Sequence, residues 1–367
     1  MWLRRWAVVG IGGGALVTGI VVGDLTGDGS DVAELSTRVW RDAYQGSMWY
    51  PMWDKGFCRW QLPPEDAGLH AAGYAGDRLV GSFCSVPAWL RAQGRTWPIG
   101  LAGWCSVAPE ARADGLTLQL VEELDRRHEA AGLAMSLAIV MGDEKAIANR
   151  MWTSYARANP DRLRFLFRFG YWAKVLDPTA VARGGLEQYE RLGAGALGPL
   201  LAASAGNASA WRPYEPEDLP HCAQLLDATT SRFEWSLTWP MERLARQLQG
   251  EAVQTFVLTG SGRIDAFASL ARIGFMGRSF IDARVLDLWC APGLGPLAAA
   301  AALGGLCRRL RAEGVPLLMA QRTSMTPART FLAAGFLPLP GKDWVVALFP
   351  RDAPRLDPPR TWSLLFR

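Results

Sequence analysis

Residues 106–132 read SVAPEARADGLTLQLVEELDRRHEAAG, and residues 288–314 read LWCAPGLGPLAAAAALGGLCRRLRAEG. Each segment leaves an apolar run, passes through a turn with proline or glycine, and continues as an amphipathic helix that ends at glycine. A buried strand and then a Gly-aromatic step follow each one, the steps being Gly170-Tyr171 and Gly335-Phe336. Two copies of one unit in a chain of 367 residues predict a duplicated domain.

The sequence around each segment repeats one order of elements. Before and through the first segment, apolar periodicity and turn residues predict the order β, α, β, β, β, α, β. Turn residues at 75–77 and again at 259–263 predict a hairpin in each copy. The order restarts near residue 215 and finishes with a strand at 344–349. Each amphipathic helix has one apolar face, formed by Leu116, Leu120, Val121 and Leu124 in the first and by Leu303, Leu306 and Leu310 in the second.

Composition argues against several classes of protein. With 39 basic and 35 acidic residues the net charge is +4, and no block of Lys and Arg indicates a nucleic-acid partner. The three histidines and six cysteines lack zinc-ligand spacing, so no metal site is predicted. The cysteines lie within apolar runs, which is typical of reduced thiols packed in a cytoplasmic protein.

Two patterns in the N-terminal residues resemble a membrane anchor and a dinucleotide-binding motif. Two arginines precede a long uncharged stretch, as in a signal anchor, but this stretch is rich in glycine. We interpret residues 20–22 as the first strand and residues 1–19 as an extension, with a membrane anchor as the alternative. The motif Gly10-x-Gly12-x-x-Ala15 matches a dinucleotide fingerprint, but its acidic residue follows too soon for a helix and a strand to intervene.

The turn before the first repeated helix has the chemistry of an anion site. A helix N-terminus presents unpartnered backbone N–H groups and the positive end of the helix dipole. Gly115 has no Cβ, so a phosphate can approach the backbone closely, and Arg112 can add charge-assisted hydrogen bonds. The second copy has Gly293-Leu294-Gly295 at this place but Cys290 instead of the arginine. The second copy is therefore either a vestige or a second site.

The element order and these motifs resemble the GNAT superfamily, the GCN5-related N-acyltransferases, whose phosphate signature is Arg/Gln-x-x-Gly-x-Gly/Ala. The resemblance implies an α/β (α+β) fold with two tandem GNAT-like domains, each a mixed, mostly antiparallel sheet flanked by helices. It divides the chain into two domains, domain 1 at residues 20–178 with the acyl-CoA site and domain 2 at residues 211–350. An N-terminal extension (1–19), a linker arm (179–210) and a C-terminal tail (351–367) make up the rest.

The resemblance also implies where a cosubstrate binds. In the family this turn holds the pyrophosphate of coenzyme A, and the pantetheine arm lies between the splayed fourth and fifth strands. Residues 104–107 and 133–140 would form the two walls of that gap. The residues implied to bind acetyl-CoA or another acyl-CoA are Cys105, Ser106, Val107, Arg112, Ala113, Asp114, Gly115, Leu116 and Thr117. Thr117 departs from the small residue of the signature.

The family's general-acid position carries no acid in either copy. It lies four residues before the glycine of the Gly-aromatic step, where this chain has Leu166 and Phe331. The first copy has extra residues around 142–161, which we expect to form a loop beside the site. The candidates for acid and base catalysis are Tyr155 and Tyr171 as acids and Glu110 and Cys105 as bases.

As a function, the resemblance implies an acyl-CoA-dependent N-acyltransferase that acts on a primary amine of a small molecule by direct attack on the thioester. The acyl group would be acetyl or longer. We expect the aromatic-rich segment 49–60 to cover the acceptor, and an oligomer is compatible with the sequence. Two alternatives stay open. One is a GNAT-fold binding or scaffold protein without turnover, which the missing acids favour. The other is a Fem-like aminoacyl transferase, against which the low net charge argues.

Overall fold

The structure is a computed structural model that describes residues 19–142, 146–185, 203–260, 262–350 and 356–364. Residues 19–185 are here the first half, and residues 203–364 are the second half. Three parts of the sequence interpretation lie outside the described residues: residues 1–18 with the Gly10 motif, the linker arm over 186–202, and the tail at 351–355 and 365–367.

The first half contains the first of the two predicted strand–turn–helix segments. Its elements are β1 (Ile20–Asp24), α1 (Ser30–Tyr44), β2 (Tyr50–Met52), α2 (Lys55–Gln61), β3 (Ala71–Ala75), β4 (Arg78–Ala92), β5 (Arg95–Val107), α3 (Leu116–Ala130), β6 (Met135–Val140), α4 (Ile147–Ala158), β7 (Leu163–Val175) and α5 (Pro178–Gly184). The predicted first strand and the hairpin of β3 and β4 are confirmed.

The second half repeats this order. Its elements are β8 (Trp211–Pro213), α6 (Leu219–Thr230), β9 (Trp235–Thr238), α7 (Met241–Leu248), β10 (Val253–Gly260), β11 (Arg263–Met276), β12 (Phe280–Cys290), α8 (Pro296–Ala312), β13 (Leu317–Gln321), α9 (Ala328–Ala333), β14 (Leu337–Leu348) and β15 (Trp362–Ser363). The hairpin of β10 and β11 and the helix α8 are as predicted, and the apolar face of α8 is buried.

The described strands form one mixed sheet of 15 strands that runs through both halves. Its main order is β1-β3-β4-β5-β6-β14-β7-β13-β12-β11-β10-β8. Most neighbours are antiparallel, whereas β5 pairs with β6, and β12 with β13, in parallel. The expected fold class, a duplicated and mostly antiparallel sheet flanked by helices, is confirmed.

The two halves exchange strands at the centre of this sheet. β14 of the second half lies between β6 and β7 of the first half, and β7 in turn lies against β13. The short strands are exchanged as well, because β2 pairs with β11 and β9 pairs with β4. Each half therefore completes the sheet of the other, and the middle of the molecule is built from both.

Helix α3 packs closely on the sheet of the first half. Its predicted apolar face is buried, and Leu116 at its first position lies against β3 and β4. A Cβ added at Gly81 on β4 would come within 2.6 Å of the Leu116 side chain. Glycine at this position thus lets α3 approach the strands, which fixes the N-terminus of α3 beside the end of β5.

Two local predictions were wrong. The extra residues of the first half form helix α4 rather than a loop. The two Gly-aromatic steps are not equivalent, since Gly335 ends helix α9 with φ +79°, whereas Gly170 lies inside strand β7. A Cβ at Gly170 would come within 2.6 Å of the Leu339 carbonyl oxygen, so this glycine serves the close pairing of β7 with β14.

Two further observations concern the helices and the cysteines. No helix among the described residues has the length and apolar character that a membrane span requires. All six cysteines are free thiols, and five of them are buried.

Candidate active site

The parallel strands β5 and β6 separate at their carboxyl ends. Their pairing runs from Ile99 and Met135 to Ala102 and Ala138, and no later pair joins them, although β5 continues to Val107 and β6 to Val140. Beyond this point the backbone of β5 faces a gap and retains hydrogen-bonding groups that no strand uses.

A bulge in β5 marks the place where the strands separate. The register of β4 and β5 shifts between the pairs Ser82–Ser106 and Cys84–Gly103. Trp104 in the bulge has φ +53°, a conformation that is unfavourable for a bulky residue and that tends to persist where surrounding structure imposes it. The Ser82 hydroxyl donates to the Trp104 carbonyl oxygen at 2.8 Å and fixes the bulge.

The turn after β5 leads directly into the N-terminus of α3. Gly115 has φ +71°, precedes the first helical residue and leaves open space on its Cβ side. Exposed Arg112 donates from Nε to the Val107 carbonyl oxygen at 3.1 Å, which holds its guanidinium over the end of β5. Free N–H groups, a bare glycine and a cation therefore converge on one surface, as an anionic ligand requires.

A large apolar cavity of 1340 Å³ adjoins the separated strands. It exceeds the roughly 300–1,000 Å³ of ordinary small-molecule pockets. Both halves line it: Gly103, Cys105 and Ala138 from the first, and Leu237, Met319 and Val346 from the second, are among its walls. Its aromatic lining includes Trp40, Trp49, Trp53, Trp60, Trp104 and Trp152. The aromatic segment 49–60 thus contributes to the wall.

The cavity and the turn adjoin along β5, because Cys105 on the cavity wall lies two residues before Val107, whose carbonyl oxygen accepts a hydrogen bond from Arg112. Tyr44 lines the cavity. Burial raises the pKa of its phenol, and the positive charge of Arg112 opposes that rise. A ligand could therefore place a charged end at the Arg112 turn and an apolar end in the cavity.

One cluster of polar groups on the cavity wall lies where the halves exchange strands. Asp343 on β14 accepts a hydrogen bond from the Gly142 N–H at 2.8 Å and another from the Tyr171 hydroxyl at 2.9 Å. Asp343 and Tyr171 both line the cavity, together with Gln321. Burial raises the pKa of the Asp343 carboxyl, and it raises the pKa of the Tyr171 hydroxyl well above its usual range.

The predicted catalytic residues are not brought together. Tyr171 lines the cavity, as does Cys105, but burial raises the pKa of the Cys105 thiol to about 12 and keeps it protonated. Glu110 pairs with Arg78 at 3.0 Å and is absent from the cavity wall. Tyr155 lies in α4, where its ring packs against Trp152 at 6.1 Å between centroids, and it also does not line the cavity.

The predicted cosubstrate residues follow β5 and the turn in order. Ser106 is buried, accepts a hydrogen bond from the Trp40 indole at 3.1 Å and donates to the Ser36 hydroxyl, so it holds β5 against α1. Val107 is also buried. In the turn Ala113 is exposed, Asp114 and Thr117 are half-buried, and Leu116 is buried against the sheet.

The corresponding strand end in the second half also has a register shift and an end of β12 that β13 does not pair with, but its turn and its side chains differ. The turn before α8 has Gly295 at φ −65°, followed by Pro296 at the first helical position. Cys290 is buried, and burial raises the pKa of its thiol strongly. Trp289 packs in an aromatic cluster with Trp211, Trp172, Phe331 and Phe336. Of the described residues between Val285 and Leu317, none lines the large cavity.

By sequence, no protein-family model and no curated protein matches the chain. By structure, Saccharomyces cerevisiae N-myristoyltransferase with bound myristoyl-CoA has a TM-score of 0.71 at 16% identity, covering 94% of this chain and 85% of that one. A second structure of that enzyme with myristoyl-CoA has a TM-score of 0.70 at 16% identity, covering 92% and 80%. Both have the GNAT fold.

The chain adopts the duplicated GNAT fold. A GCN5-related N-acetyltransferase from Anabaena variabilis ATCC 29413 has a TM-score of 0.50 at 10% identity, covering 89% of this chain and 72% of that chain. At these identities the likeness concerns the fold. Within the duplicated GNAT fold, the separated ends of β5 and β6 and the turn with Arg112 and Gly115 form the candidate binding site for an anionic ligand.

Sequence reasoning missed Asp343. It lies outside both repeated segments and 172 residues from its partner Tyr171. The only local signal is a carboxylate placed directly before an apolar run, in the segment Asp343–Leu348 (DWVVAL). A lone acid at a strand end is most often a solvated residue, so this signal did not distinguish Asp343 from other strand-end acids.

Proposed function

We propose that this protein is an acyl-CoA-dependent N-acyltransferase whose acyl group is a long apolar chain. The observation that carries the proposal is the apolar cavity of 1340 Å³, whose wall includes Cys105 and Ala138 at the separated ends of β5 and β6. The Arg112 turn follows β5 directly. An acetyl group would leave most of such a space without a partner. A long chain would fill it and gain about 0.8 kcal/mol for each buried methylene.

The first half would hold the cosubstrate. Backbone N–H groups at the start of α3, together with Arg112, would bind the pyrophosphate, and the gap beyond Ala102 and Ala138 would hold the pantetheine arm. Backbone N–H groups of β5 near the Trp104 bulge would polarise the thioester carbonyl. Likeness to an N-myristoyltransferase fold that binds myristoyl-CoA supports the same arrangement.

The acceptor would be a primary amine that enters the shared centre of the sheet. Its nitrogen would add to the thioester carbon, so that a C–N bond forms and the C–S bond breaks with coenzyme A as the leaving group. Holding amine and thioester in contact supplies much of the rate enhancement in such a reaction.

Chain-length dependence of binding tests this proposal. Calorimetric titrations with acetyl-CoA, octanoyl-CoA and myristoyl-CoA should show affinity rising with length, by at least about 100-fold from the first to the last after the ordering cost of the chain. Mass spectrometry should then detect amides when myristoyl-CoA is incubated with glycinamide, ethanolamine or octylamine. Equal affinities would refute the long-chain assignment, and binding without any amide would refute the transferase assignment.

A further inference from the structure

A carboxylate lies at the centre of the sheet, where the two halves exchange strands, and the proposed reaction can use it. Asp343 is 7% exposed and lines the cavity. It is the one carboxylate among the described residues of the cavity wall. The last β14–β6 pair is Trp344 with Val140, so Asp343 lies just beyond it, at the end of β6 where the gap opens.

Resting on the proposed function, we propose that Asp343 is the general base that takes a proton from the acceptor's ammonium group. A protonated amine has no lone pair with which to attack. Transfer of one N–H proton to the carboxylate frees that pair, and the amine adds to the thioester carbon. The C–S bond then breaks, the new amide nitrogen loses a second proton, and the departing coenzyme A thiolate takes that proton up. The proton on Asp343 then returns to solvent, and the group is ready for another cycle.

The contacts of Asp343 suit this role. Gly142 donates to Oδ1 and Tyr171 donates to Oδ2, and a carboxylate has about four lone-pair directions, so further acceptor capacity remains on both oxygens. The two donors favour the charged form, and burial opposes it. The titratable groups acting on Asp343 are Tyr171 from β7 and Lys342 from its own strand.

The other candidate bases fit this role less well. Glu110 is engaged with Arg78 away from the cavity. The high pKa of Cys105 leaves almost no thiolate at neutral pH. Tyr171 stays protonated because its pKa is raised as well, so we assign it as a positioning residue that orients Asp343.

The geometry also explains why the second half is retained. β14 carries Asp343 and enters the sheet between two strands of the first half. The cosubstrate turn and the base thus come from different halves, and the site is complete only when both are present.

The test uses Asp343→Asn, with Asp227→Asn as a matched control. Asparagine keeps the shape and can still accept from Gly142, whereas Asp227 is a surface acid paired with Arg91. With myristoyl-CoA and the best acceptor among glycinamide, ethanolamine and octylamine, Asp343→Asn should lower kcat by about 10²–10⁴-fold. It should leave the Kd for myristoyl-CoA within twofold, and the control should change neither.

The pH profile separates a base from a merely structural residue. In the wild type kcat/KM should rise with pH through the pKa of Asp343 and then level off. In Asp343→Asn it should instead keep rising about tenfold per pH unit until the free amine forms, so the two profiles converge at high pH. Tyr171→Phe removes a donor to the charged form and should move the wild-type rise to higher pH.

The outcomes distinguish this inference from the function on which it rests. Absence of any amide from the wild type would refute the proposed function and the inference together. A wild type that makes amide, with Asp343→Asn within threefold of it and the same plateau, would refute the inference alone. If Asp343→Asn loses myristoyl-CoA binding, Tyr171→Phe decides, and an unmoved pH profile in that variant would refute the inference.

Discussion

In the first half the strand before the repeated helix ends in a strained bulge and a turn that carries an arginine, whereas in the second half the strand ends among packed aromatic side chains and its turn has no arginine. Trp104 has φ +53° and Gly115 has φ +71° in the first half. At the matching turn of the second half Gly295 has φ −65° and Pro296 lacks an N–H group. The backbone unit is repeated, but only one copy keeps the features that favour an anion.

The difference indicates that the two halves have different roles. A helix N-terminus alone is a weak anion site. The turn before α3 differs from the turn before α8 by the presence of Arg112 and by the positive φ of Gly115, whereas the Cβ side of the glycine is open in both. The second half has given up these features and instead supplies cavity walls and strand β14. We therefore regard the second half as a structural and catalytic complement rather than a second cosubstrate site.

The largest expected effect on stability comes from removing one aromatic side chain from the cluster of the second half. Trp289 is 4% exposed, and its ring lies 6.0 Å from that of Trp211. Trp289→Ala should lower the free energy of unfolding by about 3–5 kcal/mol because it leaves a cavity in a packed core. Urea denaturation measures this loss, and myristoyl-CoA affinity should stay within twofold. Loss of binding in the folded variant would show that this strand end belongs to the ligand site.

A second comparison uses the alanines in the last pairs of the parallel ladders β5–β6 and β12–β13. Ala138 pairs with Ala102 and lines the cavity, whereas Ala320 pairs with Leu286 and is fully buried in the core. Ala138→Phe should weaken myristoyl-CoA binding about 10–100-fold and acetyl-CoA binding less, because its ring narrows the gap proposed for the pantetheine arm of both thioesters and also takes cavity space from the long chain.

Ala320→Phe is the matched substitution in the second half. It should overpack a closed core and lower the free energy of unfolding by about 1–3 kcal/mol, with little selectivity between chain lengths. Titrations with the two thioesters and urea denaturation measure both variants. The same selectivity change in both variants would contradict the assignment of the cavity to the first-half gap.

A smaller expected effect is a loss of stability at low pH that arises from buried histidines of the first half. Burial lowers the pKa of His128 and His70, both in the first half, to about 4. Since the unfolded chain binds these protons from about pH 6.5 downward, stability present above pH 6.5 is lost as the pH falls toward 4.

His128→Gln should remove about 1–2 kcal/mol of the stability difference between pH 7 and pH 5. Exposed His221 in the second half provides the control, and His221→Gln should leave that difference unchanged. Urea denaturation at the two pH values measures it. An unchanged pH dependence in His128→Gln would show that the buried histidine pair does not titrate between folded and unfolded chains.

Local patterns made much of the fold predictable. The apolar faces of α3 and α8 and both hairpins follow from periodicity and turn residues within short windows. Helix α4 was predictable in principle, because Met151, Trp152 and Tyr155 have helical spacing. The comparison of the two Gly-aromatic steps misled the interpretation, since a glycine can end a helix at one place and permit close strand pairing at another.

These local patterns could not predict the exchange of strands. Which strand lies beside β6 depends on packing between residues far apart in the chain, and β14 and β7 have similar apolar patterns. The exposed turn with Arg112 and Gly115 before α3 was predictable because its features are local to 112–117. The contact of Tyr171 with Asp343 was not, because it exists only once the halves exchange strands.

The stoichiometry of myristoyl-CoA binding tests the central claim most directly. Titration calorimetry should give one site per wild-type chain. Gly115→Glu should weaken binding by at least about 100-fold, because a carboxylate would face the pyrophosphate. Gly115→Gln, with the same left-handed backbone strain but no charge, should lose far less. Gly295→Glu should keep one site at wild-type affinity. Two sites in the wild type, or loss of binding in Gly295→Glu, would contradict the account.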